Sequence, residues 1–335
     1  VQNIPEPSPA ETVVTLGHAI VDVLAPVGED VVQGLGLTKG TMTLVDDGRA
    51  AQIYASLGTC EQISGGSAAN TAVCLASLGR PATFIGRVRD DPLGEVFAAD
   101  IAAAGVSFEV PAARSGPGTG RSMVLVTPDA EKTMCTSLGA GDLVEPGDVD
   151  ASLVTAAACL YIEGYLCGAG SAEAAVARAV EAAHAGATPV ALSLSDPSWV
   201  LAHRQALKEL VAGADLVFAN EDEARNLTGE ASAGDAADHL ARQCPLAVVT
   251  LGADGCLVVG RGERHHVEAV PPAAVVDTTG AGDSFAAGFL HGLLGGAGLE
   301  DAGRLGALVA AEIVSHVGAR PRRPLLALAC EAGLC

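Results

Sequence analysis

Apolar positions along the chain fall into short runs broken by glycine, with two alternating periodicities. Residues 12–16 form a β-branched run stopped by Gly17, which predicts a buried strand. Residues 68–78 are apolar with few breakers and end at Gly79, predicting a helix with a glycine stop. A strand follows at 82–88, then a helix at 93–104 closed by Gly105. Residues 122–127 and 132–138 read as strands joined by a Pro128-Asp129 turn. Residues 23–60 are interrupted by Gly28, Gly34, Gly36, Gly40 and Gly48, and predict short strands and one helix outside the main core.

From about residue 150 the alternation becomes regular. Strands at 158–162, 189–194, 216–219 and 246–251 alternate with helices at 171–185, 198–212, 221–227 and 233–243. Strands at 256–259 and 265–270 precede a helix from about Ala281 and another over 299–316. Such alternation builds a parallel sheet covered by helices on both faces. The expected fold is therefore α/β, a three-layer αβα sandwich with a mostly parallel central sheet. Residues 1–11 read as a disordered tail, and 12–335 as one domain. Its small β-sheet lid draws on about 15–60 and 106–140.

Composition narrows the function classes. Of 335 residues, 49% are hydrophobic, which excludes disorder as the main state. Lys plus Arg number 19 against 40 Asp plus Glu, a formal charge of −21. That field repels nucleic acid and anionic lipid, yet backbone N–H groups can still hold a small phosphate. The nine cysteines include no C-x-x-C pair, arguing against zinc ribbons and fitting a reducing cytoplasm. The N-terminus has no basic region backed by an apolar stretch, and no apolar run approaches membrane-spanning length. The expected location is cytoplasmic.

Several phosphate and hydrolase motifs are missing: G-x-x-x-x-G-K-[ST], G-x-G-x-x-G and H-E-x-x-H. The sharpest local feature is Asp277-Thr278-Thr279-Gly280-Ala281-Gly282-Asp283, read as a strand end running into an apolar helix. It aims the N–H groups of Gly280, Ala281 and Gly282 outward at a helix N-terminus, where unsatisfied donors and the dipole favour an anion. A carboxylate at Asp283, beside a bound phosphate, suits a general base for an attacking hydroxyl. Its plain alternative is an idle helix-start Asp. The same four letters recur at Gly139-Ala140-Gly141-Asp142, but Pro146 and Gly147 follow too soon for a long helix, so that copy reads as a loop.

A second cluster is Ser64-Gly65-Gly66-Ser67-Ala68-Ala69-Asn70. Either two glycines admit a ligand to the backbone, with Asn70 toward a hydroxyl, or they form a turn with Ser67 as N-cap. Asn220 and Glu223 follow a strand at its carboxyl end, where α/β folds bind ligands; an acidic helix start explains them equally. Thr250, Gly252 and Gly255 end another strand, at a ligand or in a hairpin turn. Asp22 either accepts bonds from neighbouring sugar hydroxyls or is a surface Asp.

Taken in order, these pieces resemble the PfkB/ribokinase-like family of carbohydrate and nucleoside kinases over about residues 12–325. Gly17 to Asp22, Gly36 to Met42, Glu163-Gly164-Tyr165 and Ser315 to Pro321 are most similar to its adenosine-kinase-like branch. His18, Lys132 and Cys135 depart from that branch, which has Asn, Arg and Asn there. The resemblance implies an ATP- and Mg²⁺-dependent phosphotransferase acting on the 5′-hydroxyl of a nucleoside, adenosine first. A ribokinase- or fructokinase-type sugar kinase and a catalytically dead homologue are the alternatives. It implies Asp283 as base and Gly280, Ala281 and Gly282 as the anion loop. Asp22, Gly65, Gly66, Asn70 and Lys132 would hold substrate, and Asn220, Thr250, Gly252, Gly255 and His316 the nucleotide. Glu223 would reach Mg²⁺ through water, and Asp277, Thr279, Ser315 and Gly318 are candidates for K⁺. Partners would be substrate and ATP, without nucleic acid or membrane, in a monomer or homodimer.

Overall fold

The computed structural model describes residues 11–58, 60–129, 131–168 and 170–335. Apart from Glu11, the expected tail lies outside them. The chain begins with β1 (Val13–Leu16), β2 (Ile20–Pro26), α1 (Glu29–Gly34), β3 (Met42–Leu44), α2 (Asp47–Ser56), β4 (Glu61–Gly65) and α3 (Ser67–Ser77). It continues through β5 (Ala82–Ile85), α4 (Pro92–Ala103), β6 (Gly120–Val126), β7 (Lys132–Ser137), α5 (Ala151–Ala156), β8 (Cys159–Glu163) and α6 (Ser171–Gly186). Then come β9 (Val190–Ser193), α7 (Pro197–Ala202), α8 (Arg204–Ala212), β10 (Leu216–Asn220), α9 (Glu221–Thr228) and α10 (Ala233–Gln243). The last elements are β11 (Leu246–Thr250), β12 (Cys256–Gly260), β13 (Glu263–Val267), α11 (Ala281–Leu294), α12 (Leu299–Ile313) and α13 (Leu325–Glu331).

Among the described residues, eight strands form one sheet in the order β13-β12-β11-β10-β9-β8-β1-β5. It is parallel from β5 to β11, and β12 and β13 add an antiparallel edge. Alternate residues of each central strand feed opposite cores. Cys159, Tyr161, Leu216 and Phe218 pack with α3, α11 and α12, while Leu160, Ile162, Val217 and Ala219 pack with α6, α8, α9 and α10. Both faces are buried, so these strands read as continuous apolar runs rather than alternating ones. Each fully buried large side chain, such as Phe289 or Leu160, contributes about 1.5–3 kcal/mol. Five strands form the smaller sheet, ordered β3-β7-β6-β2-β4, with β6 and β7 an antiparallel hairpin. No helix among the described residues is long and apolar enough to cross a membrane.

Several expectations are corrected. The 23–60 region carries two helices, α1 and α2, the second capped by Asp46 accepting the Arg49 N–H. The helix expected over 198–212 breaks at His203 into α7 and α8. Residues 275–276 form no strand; the Val276 N–H bonds the Val314 carbonyl at the end of α12 instead. Only 120–137 of the 106–140 segment joins the smaller sheet. Ser107 and Ala113 instead bridge to Thr83 and Arg89 along the main sheet's edge. The first Gly-Ala-Gly-Asp copy is a 3₁₀ turn, Gly139–Leu143, rather than an open loop.

Candidate active site

The N-termini of α3, α9 and α11 converge at the carboxyl ends of β8, β10 and β11, the edge where open α/β sheets bind ligands. Gly280 caps α11 at φ 76, and a Cβ there would collide with Ala319. Only glycine fits this turn. A Cβ on Gly282 would meet nothing within 4 Å, so space lies open before the helix. Among the described residues no acceptor meets the N–H of Gly280 or Gly282. Ala281 differs from expectation: its N–H turns back to the Thr278 carbonyl at 3.2 Å.

Asp283 is gripped from α3. Ser67 Oγ donates to its Oδ1 at 2.6 Å and Asn70 Nδ2 to its Oδ2 at 3.1 Å. Burial pushes its carboxyl up to about 6, against the hydrogen bonds from Ser67 and Asn70. Ser67 is not the N-cap of α3; Gly66 is, leaving the Ser67 hydroxyl free for Asp283. Asn70 Oδ1 is buried with no partner, an acceptor that a substrate hydroxyl would satisfy.

Asp22 stands on β2 of the smaller sheet, not on the surface, and faces Gly65 so closely that a Cβ there would strike its carboxylate. Burial raises it to about 6, opposed by the Arg320 guanidinium and helped by Asp283. Gly66 packs directly on the His18 carbonyl. Arg320 reaches from the C-terminal connection to the Ser64 carbonyl and hydroxyl, while its Nε and Nη1 are buried without partners.

On the other side, Asn220 and Glu223 form a reciprocal capping box at the start of α9. Glu223 Oε2 accepts the Asn220 N–H at 2.9 Å, and Asn220 Oδ1 accepts the Glu223 N–H at 2.8 Å. This spacing is a helix-start device in its own right. Burial nonetheless lifts Glu223 to about 7. Thr250 ends β11 beside Asn220, its Cα partner in the parallel register. Gly252 opens onto free space, whereas Gly255 sits at φ +87 in the β11–β12 hairpin, where a Cβ would strike the Val267 carbonyl. Gly255 is thus explained by the turn. His316 is buried against Glu312 at 3.3 Å.

Three of the four residues considered for K⁺ are engaged with one another, and Ser315 is turned to its own helix. Asp277 accepts Thr279 Oγ1 at 2.8 Å and the Gly318 N–H at 2.7 Å, and Ser315 Oγ bonds the Ala311 carbonyl. Lys132, expected among the substrate-binding residues, is ion-paired with Asp277. Burial opposes the charge on Asp277, but these donors hold its carboxyl below the usual range.

His18 lies between Glu163 and Asp142, with ring nitrogens 2.6 and 3.0 Å from their oxygens. A cavity of about 230 Å³ between the smaller sheet and the 139–143 turn is lined by Leu44, Val45, Asp47, Leu138 and Asp142 among others. Tyr165, in the branch-like stretch Glu163-Gly164-Tyr165, packs edge-on against Trp199 at 5.7 Å and does not line that cavity. Sequence reasoning missed the hold of Ser67 on Asp283, the reach of Arg320 and the His18–Asp142 pair. A signal existed only for the last, in the first Gly-Ala-Gly-Asp, at 139–142.

Residues 35–325 match the model of the pfkB family carbohydrate kinases. The chain is 41% identical to the adenosine kinase of Sinorhizobium meliloti, with a TM-score of 0.89 over 96% of this chain and 99% of that one. It is 38% identical to a probable sugar kinase of Rhizobium etli, with a TM-score of 0.90 over 97% and 99%. The 5-dehydro-2-deoxygluconokinase of Geobacillus kaustophilus is 29% identical over 78% of this chain and 82% of its own. With the sandwich, the smaller sheet and the Gly-Ala-Gly-Asp helix start in place, the chain belongs to the PfkB family of carbohydrate kinases and is a sugar or nucleoside phosphotransferase acting on an alcohol group.

Proposed function

We propose that the protein transfers the γ-phosphate of ATP to the 5′-hydroxyl of a ribonucleoside, adenosine first. The observation that carries the chemistry is Asp283, held by Ser67 and Asn70 at the N-terminus of α11. Asp283 takes the hydroxyl proton as that oxygen attacks in line. The N–H groups of Gly280 and Gly282 meet the charge developing on the phosphates, with Ala281 shaping the turn. Asp22 accepts from the ribose diol, and the unpartnered Asn70 Oδ1 accepts one more hydroxyl proton. Gly65 and Gly66 let the sugar lie against the backbone, and the smaller sheet acts as the lid. Asn220, Thr250 and Gly252 line the nucleotide.

Among the described residues no three His, Cys, Asp or Glu side chains are arranged to hold a metal alone. Three carboxylates pushed up by burial, Asp22, Asp283 and Glu223, nevertheless surround the cleft. Of these, Glu223, free of a role toward the substrate, would hold a Mg²⁺ through water, and the ion would supply charge neutralisation at the phosphates. Asp277, one of the four candidates for K⁺, already has Lys132, Thr279 and Gly318 as partners.

The nucleoside reading is supported by the 41% identity with an adenosine kinase. The sugar reading is favoured by the Rhizobium etli and Geobacillus relatives and by the engagement of Tyr165 with Trp199. Competition decides between them. Adenosine, inosine, cytidine, ribose and fructose are offered at equal concentration and products separated by mass; adenosine phosphate should dominate. A sugar phosphorylated more efficiently than every nucleoside refutes the nucleoside assignment.

The pH dependence follows from the base. Asp283 must be ionised, and its folded value is about 6, so kcat/KM should fall as pH drops through about 6. Asp22, also at about 6, steepens the same limb. A pH–rate profile flat down to pH ~4.5, near an unperturbed carboxyl, contradicts the assignment.

A further inference from the structure

The Arg320 guanidinium is unused by the mechanism above. It lies in the connection from α12 to α13. Its Nη2 donates to the Ser64 carbonyl, and to Ser64 Oγ at 2.7 Å. Ser64 is held in turn: its hydroxyl and its N–H both donate to Asp100 Oδ2 of α4, the N–H at 2.9 Å. Arg320 Nε and Nη1 are buried without partners, and among the described residues no carboxylate touches the guanidinium. A charge taken out of water with no counter-ion in contact is costly, so its role lies in what it faces at longer range.

Asp22 has the complementary shortage. Among the described residues no hydrogen-bond donor meets its carboxylate, whereas Asp283 has Ser67 and Asn70. Ser64 lies between Ile63, the cross-strand partner of Asp22, and Gly65, where a Cβ would strike the Asp22 carboxylate. The anchor on Ser64 therefore sets the guanidinium near that carboxylate without contact. Lys132 of β7 is the other cation acting on Asp22, and it is committed to Asp277. Asp283 from α11 and Asp277 from the turn before it add negative charge. Asp100 from α4, Cys74 from α3 and Asp283 are the remaining titratable groups that face Arg320 itself.

We infer that Arg320 is a positioning residue for the substrate: fixed on Ser64, it is the counter-ion that lets Asp22 meet the substrate's hydroxyls as a carboxylate. The inference rests on the reading above in which Asp22 accepts those hydroxyls. A carboxylate accepts from two hydroxyls at once, whereas a protonated acid turns one oxygen into a donor. Burial raises Asp22 to about 6, and Arg320 is the largest influence holding it down. Without that charge the carboxyl goes higher still, by about one pH unit for a nearby opposite charge. Asp22 is then neutral over more of the acid range, and substrate binding weakens there but not at high pH.

The test is steady-state kinetics of the full chain from pH 5 to 9, with adenosine and ribose as substrates, whichever is phosphorylated carrying the readout. The variants are Arg320→Gln, Arg320→Lys, Asp22→Asn, and Asp22→Asn combined with Arg320→Gln. Gln keeps a donor for Ser64 and loses the charge, whereas Lys keeps the charge. Arg320→Gln should move the acid limb of kcat/KM up by about one unit, a loss of about eightfold at pH 5.5 that shrinks below about twofold at pH 9. The loss should lie in the substrate KM, with kcat and the ATP KM within about twofold. Arg320→Lys should stay within about twofold of wild type throughout. In the Asp22→Asn background, Arg320→Gln should change the substrate KM by less than about twofold, because the carboxylate it serves is gone. ¹³C NMR of the wild type, which needs no Arg320 variant to fold, should show the Asp22 carboxyl, identified by its loss in Asp22→Asn, titrating near 6. An unmoved limb in Arg320→Gln, equal losses in the Gln and Lys variants at every pH, or an Asp22 still protonated at pH 8 overturns the inference while leaving the kinase reading intact. So does a raised ATP KM, the mark of a disturbed packing of Ala319 on Gly280. A substrate KM unchanged by Asp22→Asn overturns the reading of Asp22, and the inference with it.

Discussion

Asp283→Asn should lower kcat by at least about 10²-fold while leaving ATP affinity equal or tighter. The substitution keeps the side-chain shape. Ser67 can still donate to the amide oxygen, and Asn70 can turn its own amide to meet the new NH₂. What disappears is a proton acceptor that burial has brought to about 6, close enough to neutrality to combine ionisation with basicity. One negative charge also leaves the neighbourhood of the phosphates, so ATP should not bind more weakly. Folding should not suffer, because an ionised carboxylate in a buried place is itself a cost. The checks are single-turnover rates, ATP titration and thermal melts on the same preparation. Near-normal turnover would reduce Asp283 to a helix-end carboxylate.

Asp22→Asn should raise the substrate KM by about 30-fold or more and leave kcat much less changed. Hydrogen bonds from two hydroxyls to a carboxylate are each worth about 1.5–3 kcal/mol, and an amide that accepts through one oxygen keeps only part of that. The same variant should be more heat-stable. The folded carboxyl is raised from 3.8 to about 6, so ionised Asp22 destabilises the fold, fully above pH 6 and not at all below about 4. Removing it should raise Tm by a few degrees at pH 8 and leave it unchanged at pH 4. A higher KM with a higher Tm separates a binding role from general damage. A KM unchanged within about twofold would take the ribose away from Asp22.

The parts of this molecule that were legible in its sequence are those encoded locally. The parallel sheet announced itself because its strands are apolar on both faces and its helices end at glycines such as Gly79 and Gly105. The glycine turn before α11 was legible because Gly280 must take a positive φ against Ala319 and Gly282 leaves space. Asn220 and Glu223 stood out in the sequence, although the same two residues form a complete capping box, and pattern alone cannot separate the two uses. The break at His203 was hidden, since its flanks are helix formers on either side. Contacts between distant segments were not legible at all. Ser67 meets Asp283 across 216 positions, Arg320 meets Ser64 across 256, and His18 meets Asp142 across 124. The pairing of Lys132, expected among the substrate-binding residues, with the Asp277 carboxylate 145 positions away was equally hidden.

The central claim is that a single site holds a ribose by Asp22 and Asn70 and presents its primary hydroxyl to Asp283. The most direct measurement is ³¹P–¹H coupling in the product formed from adenosine and ATP. The account predicts a phosphorus coupled to the two 5′-methylene protons, formed with one ADP per product. Phosphorus coupled to a single ribose methine proton, from attack by the 2′- or 3′-hydroxyl, would contradict it, as would ADP release without any phosphorylated nucleoside.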